Sequence, residues 1–475
     1  MLSKEQIEQI VQLTIAQLGG ADALAAQGAA ACSRSGGNGW MFDRAEDCIT
    51  AAAAAQKRLA AMSMEDREKL IRAMRRASRE NAEKLAVMAH EETGYGRVPD
   101  KIAKILLVAN KTPGTEDIAP RVFTGDKGMT LVEQAPYGVI GSITPSTNPP
   151  GTVINNAISM IAAGNAVVFN PHPAAAKCCQ ETMRILNEAI VAAGGPMGLI
   201  TCPAKPDMDT SAVIMRDPRV KMLSVTGGEA VVSVAMKSGK KCISAGPGNP
   251  PVIVDETAQI PKAAKDIVDG ASFDNNVLCV AEKEVFCVNS VFDQLLGEMQ
   301  RCGAYLVRGG DIDKLVRTVL VSRDGKYEIN RKFVGHDATY IMDAAGVSYS
   351  GNPRLVIAEV DKDHPFVVTE MLMPVLGCVR CDSVDQAIDR AVEAEHGCWH
   401  SALMHSTNYL NMTRAARALN TTIFVKNGPS TAGVGFNGEG YATLTIATPT
   451  GEGLTSARSF TRARRCVLED GFRII

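Results

Sequence analysis

Charge of one sign is scarce in this chain. Fifty lysines and arginines stand against 52 aspartates and glutamates, a formal net charge of −2 over 475 residues. Without a strongly one-signed block, the electrostatic footprint of a general nucleic-acid binder is missing. No apolar run approaches the roughly 18 to 20 residues that cross a bilayer, and the N-terminus lacks a basic region followed by an apolar segment. The chain is therefore read as neither secreted nor membrane-embedded. No fixed-period repeat is present, which excludes solenoids. The 13 cysteines are odd in number and lack framework spacing, so they read as reduced intracellular thiols. His396, His400 and His405 lack a HExxH or CxxC partner pattern, and no metal site is expected. A GxxxxGKS/T loop is absent, which argues against a P-loop phosphotransferase, and so is GxGxxG.

What remains is an ordinary globular composition, 46% hydrophobic and 21% charged, with length enough for two or three domains. Residues 2–18 place Ile7, Ile10, Val11 and Leu18 on one helical face, with Ser3 and Gln6 as a capping box. The Gly- and Ala-rich stretch 19–39 reads as a flexible linker, so the first helix is tethered or else packs as a capping or dimerisation helix. From Asp43 to Glu92 the period is helical, read as two long helices with a cap at Ser63 and Asp66 three residues on. From Met129 apolar runs alternate with helices: MTLVEQ, YGVIGSIT, NAVVFN, LITCP, KMLSVTG and KKCISAG. That βαβ series predicts a mostly parallel sheet covered on both faces, with ligands at the C-terminal ends of its strands. A second α/β series runs from PPVIVDE to about Phe436. The tail, LTSARSFTRARRCVLEDGF, suits an added edge strand at a subunit interface.

Two segments carry candidate chemistry. Cys279 follows the polar Asp274, Asn275 and Asn276, and a polar loop exposes a thiol. Local sequence does not separate that reading from a buried structural cysteine. Asn148, in GSITPSTNPPGT, stands at a strand-to-helix turn, where its amide serves either an oxyanion or a plain helix cap. Gly227 and Gly228 follow the strand KMLSV, where backbone amides can approach a phosphate or simply make a tight turn.

Taken in order, these pieces resemble the aldehyde dehydrogenase superfamily over roughly residues 40–475. PSTNPP, GNAVVFNPHP, SAGPGNPP, NNVLCVAEK and PTGEGLTSARSFTR look like its coenzyme-A-acylating branch, the propionaldehyde and acetaldehyde dehydrogenases of bacterial microcompartments. The resemblance implies a Rossmann-like cofactor domain (40–245, with part of an oligomerisation hairpin at about 117–136) and an α/β catalytic domain (246–436). Residues 437–475 would return to the cofactor domain and add an oligomerisation strand. Cys279 would be the nucleophile and Asn148 an oxyanion donor. Thr144, Pro145, Ser146, Asn170, His172, Pro173, Thr226, Gly227, Gly228 and Val231 would line the NAD site, and Glu370, in TEMLMPV, would hold the nicotinamide ribose. Coenzyme A would be the co-substrate, propionaldehyde the favoured aldehyde and acetaldehyde the alternative, and the assembly a dimer or tetramer.

Two departures from hydrolytic members fall in the cofactor and deacylation sites. Asn170 stands where they have a lysine, and Ala245 where they have a glutamate, which fits a crevice that also admits coenzyme A. Residues 1–18 resemble the short helices that direct enzymes into microcompartments by docking on a shell or cargo protein. The expected place is thus the bacterial cytoplasm, inside a microcompartment. Rival readings are a scaffold that lost its chemistry, and a relative that reduces phosphorylated amino-acid intermediates. The retained Cys279, Asn148 and Glu370 speak against the first, PSTNPP and the N-terminal helix against the second.

Overall fold

The computed structural model describes residues 38–475 apart from Asp324; the helix read at 2–18 and nearly all of the 19–39 linker lie outside the described residues. A six-stranded parallel sheet runs in the order Met41–Phe42, Ile200–Pro203, Ala166–Pro171, Val139–Thr144, Val220–Thr226, Lys241–Ala245. Its central strands are buried from end to end, as expected of continuous apolar runs covered on both faces. The helix Pro149–Ala162 is buried at every position, including its one polar stripe, Thr152, Asn155, Asn156 and Ser159.

Ahead of this sheet the chain is more broken than its helical period indicates. Ser63 does cap Met64–Glu80, accepting from Asp66 N at 3.1 Å. The long second helix stops at Asn81, whose side chain bonds back to Ala77 O at 2.9 Å, and a new helix, Ala82–Thr93, follows. An asparagine that satisfies a backbone carbonyl competes with helix continuation. A further helix, Val98–Lys111, then leads toward the first sheet.

The second sheet has seven parallel strands: Ala304–Val307, Leu355–Glu359, Val375–Cys381, Glu284–Val288, Pro251–Val254, Ser401–His405, Ile423–Lys426. The chain passes from the C-terminal end of Lys241–Ala245 through residues 246–250 directly into the N-terminal end of Pro251–Val254. The C-terminal edge of one sheet is thereby set against the N-terminal edge of the other. Leu444, Ala447, Ala457 and Phe460 rejoin the core of the first sheet, while Ala442 and Ile446 belong to that of the second. The tail strand Thr461–Glu469 pairs antiparallel with Gly128–Pro136, whose other edge holds Arg121–Gly125. No helix among the described residues is long and apolar enough to cross a membrane.

Candidate active site

Cys279 sits in the loop that enters the strand Glu284–Val288. Asp274, Asn275 and Asn276 before it all adopt left-handed backbone, at φ 47, 53 and 64. Three such residues in succession turn the chain sharply, and Asp and Asn tolerate this region best among residues with a Cβ. Their side chains fix the turn. Asn275 Nδ2 donates to Gly335 O and Asp337 Oδ1 at 2.9 and 2.8 Å, and Asn276 Nδ2 to Ala271 O and Glu282 O at 2.8 and 3.0 Å. Lys283, buried in the same loop, donates to Asn276 Oδ1 and O at 2.5 and 3.1 Å and to Leu278 O at 3.2 Å.

Most described cysteines are buried, whereas Cys279 keeps part of its surface accessible. Its thiol nevertheless lies deep among protein atoms. Burial pushes it up to about 12, Glu370 adding to the rise, while Lys283, its own backbone N–H and Lys104 oppose it. Glu370 faces the thiol from the segment before Val375–Cys381. Burial raises its carboxyl to about 6, and Gly248 N donates to its Oε1 at 3.5 Å.

Asn148 ends the loop after Val139–Thr144 and makes no side-chain capping bond to the helix that follows. Its Oδ1 accepts instead from Lys104 Nζ, which also bonds Asp274 Oδ2. The remaining residues singled out from sequence gather at adjacent strand ends, since Thr144 is level with Pro171 and Thr226 with Ala245. The Thr144 and Thr226 hydroxyls are buried without a partner. Pro145 and Ser146 are half-buried beside them, and His172 and Pro173 stand exposed past the neighbouring strand. At Gly227 a Cβ would come within 2.9 Å of Val231 Cγ1, while Gly228 faces open space. Asn170 differs from these: both its amide hydrogens are spent inside the protein, on Asp207 O at 3.0 Å and Ser211 Oγ at 2.7 Å.

Sequence reasoning passed over the buried lysines 101, 104 and 283 and Glu282, and weighed His400 only as a metal ligand. The His400 ring packs so closely on Gly248 that a Cβ there would lie 2.7 Å from its Cγ. Burial holds His400 down at about 4.

The model of the aldehyde dehydrogenase family matches residues 42–442. The chain belongs to that family. It is similar to the acetylating acetaldehyde dehydrogenase EutE of Salmonella typhimurium, 48% identical over all of both chains. Among solved structures it resembles a propionaldehyde dehydrogenase from the fucose-utilisation microcompartment of Clostridium phytofermentans, at 47% identity and a TM-score of 0.90, covering 92% of this chain and 99% of that one. A Rhodopseudomonas palustris propionaldehyde dehydrogenase, solved with bound coenzyme A and an acylated cysteine, matches at 45% identity and a TM-score of 0.89, over 91% and 99% of the two chains. An α/β chain with an aldehyde dehydrogenase fold is what the sequence implied.

Proposed function

We propose that the chain oxidises a short-chain aldehyde with NAD and transfers the acyl group to coenzyme A. Propionaldehyde is the favoured substrate and acetaldehyde the alternative; they differ by one methylene, worth about 1–3 kcal/mol of discrimination. In this reading residues 40–245 bind the cofactor, 246–436 carry the nucleophile, and 437–475 complete the first domain and an oligomerisation strand. The strand Thr461–Glu469, mostly exposed, joins copies into a dimer or tetramer. Residues 1–18 dock on a shell or cargo protein, which places the enzyme inside a microcompartment of the bacterial cytoplasm.

The first crevice suits a dinucleotide. Two orphaned buried hydroxyls, an open Gly228 and the start of the helix Glu229–Met236 offer the donors and dipole that a pyrophosphate takes. Asn170 would shape the wall, its amide hydrogens being committed elsewhere, and Glu370 would hold the nicotinamide ribose. When bound, NAD supplies the hydride acceptor.

Cys279, as thiolate, attacks the aldehyde carbonyl. The oxyanion takes hydrogen bonds from Asn148 Nδ2 and the Cys279 backbone N–H. Loss of hydride leaves an acyl thioester on Cys279. Ala245 carries the choice of acceptor: it is buried, 4% exposed, at the position where hydrolytic relatives place a glutamate, and a methyl group takes no proton from water. The thioester therefore waits for the thiol of coenzyme A, which ionises far more readily than water. Without coenzyme A, stopped-flow absorbance is expected to show an NADH burst about equal to the active sites, then slow turnover. Coenzyme A restores the full rate. Rapid steady turnover to free acid in its absence overturns the acylating reading.

A further inference from the structure

The proposed oxyanion donor, Asn148, is held by a charged cluster to which neither the resemblance nor the relatives' names assign a role. Lys104 and Lys101 lie on the buried side of Val98–Lys111, 4% and 3% exposed. Both donate to a single oxygen, Asp274 Oδ2, Lys101 at 3.2 Å. The other oxygen, Asp274 Oδ1, accepts from Arg97 N at 2.7 Å, and Asp274 N donates back to Asp100 Oδ2 at 2.9 Å. The loop leading to Cys279 is thus locked to the first turn of this helix. The fit leaves no slack at Gly96, where φ is +66 and a Cβ would stand 1.9 Å from Asp274 Oδ1.

Two consequences follow for the surroundings of Cys279. Lysine has donors and no acceptor, so the end of the Asn148 amide that meets Lys104 is its oxygen, and the N–H end faces away from Lys104. Two lysines also share one carboxylate, which leaves uncompensated positive charge in a buried volume, where a nearby anion gains most. The charged groups that act on Cys279 are Glu370, which opposes its ionisation, and Lys283 and Lys104, which favour it.

We propose that Lys104 is a positioning residue, which holds the Asn148 amide with its N–H side toward Cys279 and sets a cation beside the anion that forms there. This rests on the assignment of Cys279 and Asn148 above. The test is Lys104→Met, which keeps the length of the side chain and removes its donors, with Lys101 left to pair Asp274. Turnover is expected to fall about 10-fold, less than for loss of the oxyanion donor itself, with the aldehyde KM little changed. Alkylation of Cys279 by iodoacetamide should move to higher pH than in wild type. In an Asn148→Ala background the same substitution should cost much less turnover, because the amide it orients is gone. An unmoved alkylation profile overturns the proposal, and so does an undiminished cost beside Asn148→Ala. If Lys104→Met does not fold, as circular dichroism will tell, Lys104→Arg takes its place. It keeps the charge but not the ammonium geometry, so it should lower turnover and leave the alkylation profile in place; wild-type turnover in that variant overturns the proposal. A wild-type enzyme that does not oxidise aldehydes at all would sink the functional reading alone, since the alkylation profile still reports the coupling of Lys104 to Cys279.

Discussion

Glu282 ties the loop that carries Cys279 to the turn after the edge strand Ile423–Lys426, and its titration can be isolated. The residue is fully buried. Its carboxylate accepts from Ser430 N at 2.8 Å and Ser430 Oγ at 2.6 Å and abuts the helix Ile260–Ser272 so tightly that a Cβ at Gly270 would come within 2.1 Å of Oε1. Burial raises its acid from an ordinary 4.5 to about 7, against the pull of the Ser430 bonds. An acid raised by folding keeps its proton in the native state after the unfolded chain has lost it. Stability is therefore complete below 4.5 and falls as pH climbs through about 7. The whole shift is worth roughly 3 kcal/mol, an order-of-magnitude figure for a site with no solvent screening. In Glu282→Gln this ionisation is gone, while one amide oxygen can still accept from Ser430. Urea denaturation of both proteins at about pH 5 and about pH 8.5, at one protein concentration, should show the variant gaining on wild type by up to that amount at the higher pH. An offset between the two proteins that stays constant to within about 0.5 kcal/mol across this range would refute the reasoning.

Cys279→Ala should abolish NADH formation while leaving the fold and NAD affinity in place, since it removes the sulfur and little packing; calorimetric titration with NAD and an aldehyde assay check both halves. Asn148→Ala should lower turnover by about 10²- to 10³-fold, the usual effect of deleting one oxyanion donor, and a change below about threefold removes the residue from that role. Residues 1–18 fused to a fluorescent protein should collect at shells in cells that assemble them, and a diffuse signal rules out targeting by this segment.

Much of the fold was legible because the first sheet is regular. Strands such as NAVVFN and KMLSVTG are continuous apolar runs between helices, and such runs in a βαβ series leave little choice but a parallel sheet buried on both faces. The break at Asn81 was not legible, because the amphipathic period continues through it while the Asn81 backbone leaves the helical region and its side chain bonds Ala77 O. In the site, Asn148 was ambiguous between cap and donor; its side chain makes no cap bond to the following helix, and its oxygen accepts from Lys104. The polar run before Cys279 left open whether the thiol is exposed or buried; Asp274, Asn275 and Asn276 are buried, and Cys279 keeps part of its surface accessible. Asp and Asn were chosen there for a left-handed turn, and hydrophilic composition alone does not distinguish the two.

The lysine cluster was hidden for a different reason, and the same reason says why it matters. Lys101, Lys104, Ile105 and Val108 follow i, i+3, i+4, i+7 spacing, the stripe by which a helix meets its core. Two of those four positions hold a lysine, and a pattern search that scores only apolar residues discounts them as surface. A lysine at a core position has two physical outcomes: its stem lies along apolar surface with the ammonium in water, or the ammonium is buried and paired. At 3% and 4% exposure the first is excluded here. Burial, with the charge of Lys104 added, brings Lys101 down to about 8, so the cost of the arrangement is visible in its own titration. Replacing a buried ion pair by apolar side chains is often neutral or stabilising, and a stripe of leucines would have packed this helix at least as well. Two cations on one carboxylate beside the loop of the proposed nucleophile are thus poorly explained by stability. They are well explained by a site where negative charge must form on sulfur and then on oxygen.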